Sequence, residues 1–238
     1  MNIILLDHHD WNDEHVVLVR DHRAIHIRSV LQSSVGDKLR VGLLGGDRGT
    51  GIIEAINDHG VQLRVEVHEP PAPRHSFDIV LALPRPKMLR RILRTVAEFG
   101  VANLHLINSA RVEKSYWQSP LLQPDKLRKA MIAGLERSMD TVSPQVHMHP
   151  RFRPFVEDEL VAVCAGRPCW ITEKSATQAL SGTAQQPGVV MIGPEGGFVP
   201  FERDLATSVI AQPVHLGGRV LSVETALVAA LAQALPPR

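Results

Sequence analysis

Val189-Val190-Met191-Ile192-Gly193-Pro194-Glu195-Gly196-Gly197-Phe198 runs from an unbroken apolar segment straight into a glycine-rich loop, and a helix opens near Pro200. An apolar run without polar alternation reads as a strand buried on both faces, the kind found in parallel sheets. Glycine lets backbone approach a ligand closely, and amides at a helix start can meet polar ligand atoms. In open α/β sheets, ligands sit at the carboxyl ends of the strands, which is where this loop falls. A tight structural turn would use the same glycines; here the loop also holds an acid, Glu195, between Pro194 and Gly196.

A second stretch repeats the logic. Leu216-Gly217-Gly218-Arg219-Val220-Leu221-Ser222-Val223-Glu224-Thr225-Ala226 reads as strand end, glycine loop and helix, with Ser222, Glu224 and Thr225 suited to capping that helix. Alone it is a capped final helix. Two such loops late in one domain point to a shared ligand site.

Working outward, strand-like runs at 77–83, 103–107, 169–172, 189–192 and 214–216 alternate with helical runs at 86–99, 124–139, 156–164, 201–210 and 223–234. That alternation predicts an α/β domain over 73–238 with a mostly parallel sheet. Upstream, Glu69-Pro70-Pro71-Ala72-Pro73 stops both helix and strand, because proline fixes φ and lacks an amide donor. Before it lie β-like runs at 16–19, 38–41, 51–56 and 61–67, the last alternating apolar and polar, with Asp58-His59-Gly60 as a hairpin turn. Residues 1–72 therefore read as a small β-barrel or sandwich with one helix near 22–32.

Length and composition agree. At 238 residues with 44% apolar content, the chain suits either one large domain or a small module joined to a medium one. A formal charge of +1, from 26 basic and 25 acidic residues, excludes a wholesale cationic coat and an acidic disordered tail. Two cysteines, Cys164 and Cys169, exclude a disulfide scaffold or a cysteine-rich zinc module. No apolar run approaches the roughly 20 residues needed to span a bilayer, and Asp7-His8-His9-Asp10 argue against a signal peptide. A soluble, cytoplasmic protein without a membrane partner is expected. Asp7-His8-His9-Asp10 and His147-Met148-His149 each lack clear third and fourth ligands, so no metal is expected either.

The usual nucleotide motifs fail. No Walker loop is present, and no G-x-G-x-x-G follows the first α/β strand, which disfavours a dinucleotide-dependent oxidoreductase. Gly45-Gly46-Asp47-Arg48-Gly49-Thr50-Gly51 lies between β runs and reads as a hairpin loop. There is no G-x-S-x-G and no H-E-x-x-H.

Charge is distributed unevenly. Residues 1–72 carry 7 Lys/Arg against 11 Asp/Glu, and 73–238 carry 19 against 14, so −4 and +5 hide inside the near-neutral total. Arg85, Lys87, Arg90, Arg91 and Arg94 have no acid between Pro84 and Ala97. Lys87, Arg90, Arg91 and Arg94 share one helical face, while Met88, Leu89, Ile92, Leu93 and Val96 share another. A solvated amphipathic face would look the same, but five unopposed cations on about three turns favour phosphate contacts. Arg111-Val112-Glu113-Lys114-Ser115-Tyr116-Trp117 interleaves cations with aromatics, which can stack on bases or bury in a protein interface.

The paired motifs, Ile192-Gly193-Pro194-Glu195-Gly196-Gly197-Phe198 and Leu216-Gly217-x-Arg219-Val220-Leu221-x-x-Glu224-Thr225-Ala226, resemble the SPOUT class of RNA methyltransferases. More narrowly they resemble the ribosomal RNA small-subunit methyltransferase E family, which methylates N3 of one uridine in 16S rRNA. The resemblance covers nearly the whole chain, with Val35-Gly36-Asp37 at the family's Gly-Asp turn and Glu136-Arg137-Ser138 in a related helix. It implies a SPOUT-type trefoil-knotted α/β domain, an exception to the rule against knots, preceded by a small PUA-like β-barrel that binds RNA. It implies S-adenosyl-L-methionine as cofactor, held by loops following Thr172 and Ile192 and a third over Leu216 to Leu221.

The cofactor residues carried over are Thr172, Ile192, Gly193, Pro194, Glu195, Gly196, Gly197, Leu216, Gly217, Val220, Leu221, Thr225 and Ala226. The partners implied are 16S rRNA or the small ribosomal subunit, and a second copy in a homodimer. The chain departs from the family at Ser222, where Arg is common, and at Asn2-Ile3, where an Arg-Phe pair often begins the sequence. Those changes remove cations and leave the cofactor loops intact, so another rRNA or tRNA nucleotide, or a non-catalytic RNA-binding assembly factor, stand as alternatives.

Methylating uridine N3 requires loss of its proton and an in-line approach to the methyl group. Arg219 is nominated for orientation or anion stabilisation, and Glu195 or Glu224 as base, against the alternative that both acids brace their loops. RNA contacts are expected from Arg20, Arg23 and Arg28 in the β module, and from Arg85, Lys87, Arg90, Arg91, Arg94 and Lys114 in the α/β domain.

Overall fold

The computed structural model describes residues 1–183 and 186–234. The expected second domain runs to 238, and 184–185 and 235–238 within it lie outside the described residues. The chain divides into two compact units. The first comprises Met1–Pro73 together with Ile132–Ser143, and the second comprises Arg74–Met131 and the chain from Pro144 onward.

The first unit is built on a five-stranded sheet of β1 (Ile4–Leu6), β2 (Val16–Val19), β3 (Lys38–Leu43), β4 (Arg48–Asn57) and β5 (Gly60–Glu69), ordered β1-β3-β4-β5-β2. β1 pairs parallel with β3, and the other pairings are antiparallel. The alternation along β5 sends Val61, Leu63 and Val65 into a core shared with Leu6, Val17, Ile27, Val41 and Ile53. Each large aliphatic so buried contributes about 1.5–3 kcal/mol.

β1 was not foreseen, since three residues are too few to show a period. α1 (His22–Ser29) starts where the Asp21 side chain accepts the Arg23 N–H at 2.9 Å. It stops short of the expected 32, and Gln32 takes a left-handed backbone with φ 52°.

Arg23 does not fit the RNA-contacting set. Its guanidinium forks onto Asp10, Nη1 to Oδ2 and Nη2 to Oδ1 at 2.6 Å each, and also bonds the Leu5 carbonyl and Asp21. With its side chain 12% exposed and its donors satisfied internally, it holds the module together. Arg28 bonds the Ala24 and Asn57 carbonyls through two of its nitrogens, whereas Arg20 is exposed.

Residues 132–143 were expected in the second domain but group with the first. The Asn2 N–H donates to the Glu136 carbonyl at 2.8 Å, and the buried Thr141 hydroxyl donates to the Gly46 carbonyl at 2.5 Å.

The second unit holds a six-stranded, wholly parallel sheet of β6 (Phe77–Ala82), β7 (Asn103–Ile107), β8 (Gln145–His149), β9 (Cys169–Thr172), β10 (Gly188–Ile192) and β11 (Ala211–Val214). Their order is β11-β9-β10-β6-β7-β8, so β10 lies between β9 and β6. β6 and β10 are buried along their whole length, as continuous apolar runs require. Gly188 is needed where β10 passes Trp170, because a Cβ there would lie 2.2 Å from the indole ring.

The helices are α2 (Pro86–Glu98), α3 (Pro124–Ser138), α4 (Phe152–Pro154), α5 (Leu160–Cys164), α6 (Pro200–Val209) and α7 (Val223–Ala232). A π turn, Phe155–Glu159, joins α4 to α5, so the helical stretch begins four residues before the expected 156. β8 was missed because its histidines at 147 and 149 mask a strand at the sheet edge. β11 was placed at 214–216 and occupies Ala211–Val214, because Pro213 is tolerated on the opposite edge strand.

Candidate active site

Three loops meet at the carboxyl ends of the central strands. The first follows β9 with Glu173 and Lys174, the second follows β10 with Gly193 to Gly197, and the third precedes α7 with Leu216 to Leu221. Together they enclose a cavity of about 290 Å³, near the lower end of the roughly 300–1,000 Å³ typical of small-molecule clefts. Thr172, Ile192, Gly193, Pro194, Glu195, Gly196, Gly197, Leu216, Gly217, Arg219, Val220, Leu221 and Ala226, all singled out from the sequence, line it. Glu173, Lys174 and Val223 line it as well and were not anticipated. Their signal was available, since Glu173 and Lys174 directly follow a strand whose carboxyl end faces the site.

The loops owe their shape to specific bonds. Gly197 has φ +71° and Gly217 φ +120°, backbone that a side chain would strain. The Gly197 N–H donates to the Pro194 carbonyl at 2.8 Å, and the Gly217 N–H to His215 Nδ1 at 3.1 Å. Arg111, from the loop after β7, donates through Nη1 to the Gly196 carbonyl, and the same nitrogen lies 3.3 Å from the Gly197 carbonyl. Glu202 on α6 is 3% exposed. Its carboxylate accepts from the Ser109 hydroxyl at 3.0 Å, the Ala110 N–H at 2.7 Å and the Val199 N–H at 3.0 Å. On the β9 side, the Thr172 hydroxyl donates to the Met191 carbonyl at 3.0 Å, and the Glu173 carboxylate binds Arg203 and the Ser175 hydroxyl. Arg111 and Glu202 brace the glycine loop, yet nothing in their local sequence announces the pairing.

Two predicted site residues point elsewhere. Thr225 belongs to the cap of α7, where Ser222 Oγ accepts its N–H at 3.3 Å and lies 2.9 Å from its hydroxyl. Glu224 does not line the cavity, and its carboxylate stands 3.6 Å from Arg91.

The basic face of α2 flanks the site. Arg85, Lys87, Arg90, Arg91 and Arg94 are all exposed, while Leu89, Ile92, Leu93 and Val96 are buried. Arg85 Nε donates to Glu195 Oε1 at 3.3 Å, so the helix touches the glycine loop through this pair and the α7 start through Arg91. Lys114 is exposed in a 3-10 turn, Lys114–Gln118.

Away from the cavity, His105 on β7 stacks on His147 and His149 of β8, with ring centroids 4.5 and 5.3 Å apart. His105 Nδ1 is 3.1 Å from His149 Nε2, and His149 Nδ1 is 3.1 Å from Glu159. Burial, then the neighbouring His147 and His149, push His105 down to about 4. Among the described residues, no group of three or more His, Cys, Asp or Glu is placed to hold a metal ion.

Comparison with known proteins adds a second line of observation. A family model described as an RNA methyltransferase domain matches residues 70–235. Ribosomal RNA small subunit methyltransferase E of Treponema pallidum is 30% identical over 241 residues, covering 99% of this chain and 91% of that protein. Ribosomal RNA small subunit methyltransferase E 1 of Borreliella burgdorferi is 24% identical, covering 97% of this chain and 95% of its own length. Among solved structures, a ribosomal RNA small subunit methyltransferase E from Neisseria gonorrhoeae bound to S-adenosyl methionine shares the fold. Its TM-score is 0.76 at 20% identity, covering 98% of this chain and 95% of that one.

Proposed function

This chain belongs to the ribosomal RNA small subunit methyltransferase E family, and from that premise we propose that it methylates N3 of a specific uridine in 16S rRNA of the small ribosomal subunit. The observation that carries the reading is the convergence of three loops on one cavity, with the cationic face of α2 tied to its rim by Arg85 and Glu195.

The cofactor is S-adenosyl-L-methionine, which supplies an electrophilic methyl group when bound. The residues present suit it. Ile192, Leu216, Leu221, Val223 and Ala226 offer an apolar wall for an adenine ring, and the glycine loops offer backbone amides and carbonyls for its polar edges. Arg219 on the rim orients the uridine and stabilises the anion that forms as N3 loses its proton. Glu195 accepts that proton. Glu224 is assigned to bracing, since its carboxylate faces Arg91.

RNA is held by Arg85, Lys87, Arg90, Arg91, Arg94 and Lys114, and in the first unit by Arg20, with Arg28 contributing what its two carbonyl bonds leave free. The first unit acts as the PUA-like RNA-binding module, a reading supported by its five-stranded sheet with a parallel β1–β3 pair. The trefoil knot is proposed from the resemblance and is supported by the strand order and by α7 packing on both β10 and α2. Homodimerisation is supported by the exposed apolar residues Val220, Phe201 and Val228, which are 76%, 55% and 38% exposed, with Val220 in the cavity wall. The proposed compartment is the cytoplasm, and no described helix is long and apolar enough to cross a membrane.

A second reading, methylation of a different rRNA or tRNA nucleotide, is favoured by one observation: Ser222 caps α7 where the family commonly supplies a cation. Mass mapping of the RNA methylated by this protein separates the two. N3-methyluridine in 16S rRNA supports the first, and a methyl group elsewhere supports the second.

A further inference from the structure

The loop after β7 carries Arg111, Glu113, Lys114, Tyr116 and Trp117, of which the function above uses only Lys114 for RNA. This loop is fixed to the start of α6 through Ser109 and Ala110 on Glu202, and to the glycine loop through Arg111 on the Gly196 carbonyl. Whatever it displays therefore stands beside the glycine loop in a defined place.

Its two aromatics differ. Trp117 donates its indole N–H to Asn108 Oδ1 at 3.0 Å, which holds it against its own loop. Tyr116 is half-buried, and its hydroxyl donates to Glu113 Oε1 at 3.2 Å. Among the described residues, no aromatic ring stacks on it. Its phenol is near enough to Arg85 and Glu195 for both to act on it electrostatically.

The pair has a chemistry of its own. Glu195 is 43% and Arg85 63% exposed, so a carboxylate acceptor and a guanidinium donor stand 3.3 Å apart at the rim. Uracil presents an N3–H donor beside a carbonyl acceptor, which this arrangement complements. Cytosine presents an acceptor at N3 beside an amino donor, the reverse order.

Resting on the uridine reading above, we infer that Tyr116 is the stacking face for the target base and that the Arg85–Glu195 pair reads its edge, selecting uracil over cytosine. Stacking on an aromatic ring contributes about 1–3 kcal/mol per base, or roughly 5- to 150-fold in affinity.

The test compares wild type, Tyr116→Phe and Tyr116→Ala on small ribosomal subunits from a strain lacking the methylation, with radiolabelled S-adenosylmethionine. Tyr116→Phe keeps the ring and is expected within about twofold of wild type. Tyr116→Ala is expected to raise KM for the subunits about tenfold or more while calorimetric affinity for S-adenosylmethionine stays unchanged. Subunits carrying 4-thiouridine at the methylated position should photo-cross-link to wild type at Tyr116.

An unchanged KM for Tyr116→Ala overturns the inference, as does equal impairment of both variants or a cross-link elsewhere. Tyr116→Ala sedimenting as a monomer from a dimeric wild type would assign the ring to a protein interface instead. Failure of the uridine reading is visible in the wild-type arm alone, as absent transfer or a methyl group on another nucleotide, and it takes this inference with it.

Discussion

The buried carboxylate of Glu202 accepts the Ser109 hydroxyl at 3.0 Å, and through this bond the start of α6 is held to the loop after β7. The same carboxylate takes the Ala110 and Val199 amides, so one side chain joins the end of the glycine loop to the loop after β7. Glu202→Ala would leave two amides without their acceptor. We expect a loss of about 2–4 kcal/mol in unfolding free energy, with a smaller loss for Glu202→Gln, read by denaturant titration. Equal stability of Glu202→Ala and wild type would show that the loop is held by other means.

Gly197 adopts φ +71° with open space around its Cα, so any penalty for a side chain there arises from backbone rather than collision. Gly197→Ala should destabilise the protein by about 1 kcal/mol and weaken S-adenosylmethionine binding several-fold, measured by calorimetry. Full affinity in that variant would mean the loop can bind its ligand in another conformation.

Arg219 lines the cavity and is proposed to act on the reacting base. Arg219→Ala should lower the single-turnover methylation rate by about 10²–10³ while cofactor and RNA affinities change little. An unchanged rate with normal binding removes Arg219 from the chemistry.

His105 titrates at about 4 in the folded protein, against about 6.5 unfolded. A base whose folded pKa is depressed contributes stability that is fully present above the unfolded value and is lost as pH falls toward the folded one. Unfolding free energy should therefore drop by about 2 kcal/mol from this group between pH 7 and pH 5, and His105→Gln should flatten that dependence. The groups facing it are His147, His149, Asp78 and Arg167, whose own substitution would shift the window. An equal acid slope in His105→Gln would place the proton uptake elsewhere.

With a near-neutral total charge of +1, the proposed RNA binding rests on a short cationic track rather than a coat. Arg90→Ala with Arg94→Ala should weaken binding across RNA sequences and reduce the log–log salt slope by about 0.7–0.9 per lost contact. A steep slope that survives the double substitution would locate the phosphate contacts off α2.

Much of this was legible because local signals and tertiary environment agree. The apolar run at 189–192 is a buried strand, the five prolines and glycines around 193–200 shape its loop, and Ser222 caps α7 as its residue type suggests. What escaped depends on distance in sequence. Arg111 reaches across 85 positions to Gly196, and Ser109 across 93 to Glu202, so no window of sequence contains either pair. Arg23 looked like a free cation because its partner Asp10 lies thirteen positions away on another element. β8 escaped because an edge strand bearing histidines lacks the apolar run that betrays β6 and β10.

The central claim is methyl transfer to uridine N3 of 16S rRNA. The most direct measurement incubates the purified protein with tritiated S-adenosylmethionine and small ribosomal subunits from a deletion strain, then maps the label by mass spectrometry of nuclease fragments. The account predicts one labelled fragment containing a single N3-methyluridine in 16S rRNA. No transfer, or label on a ribose or on a base other than uracil, would contradict it.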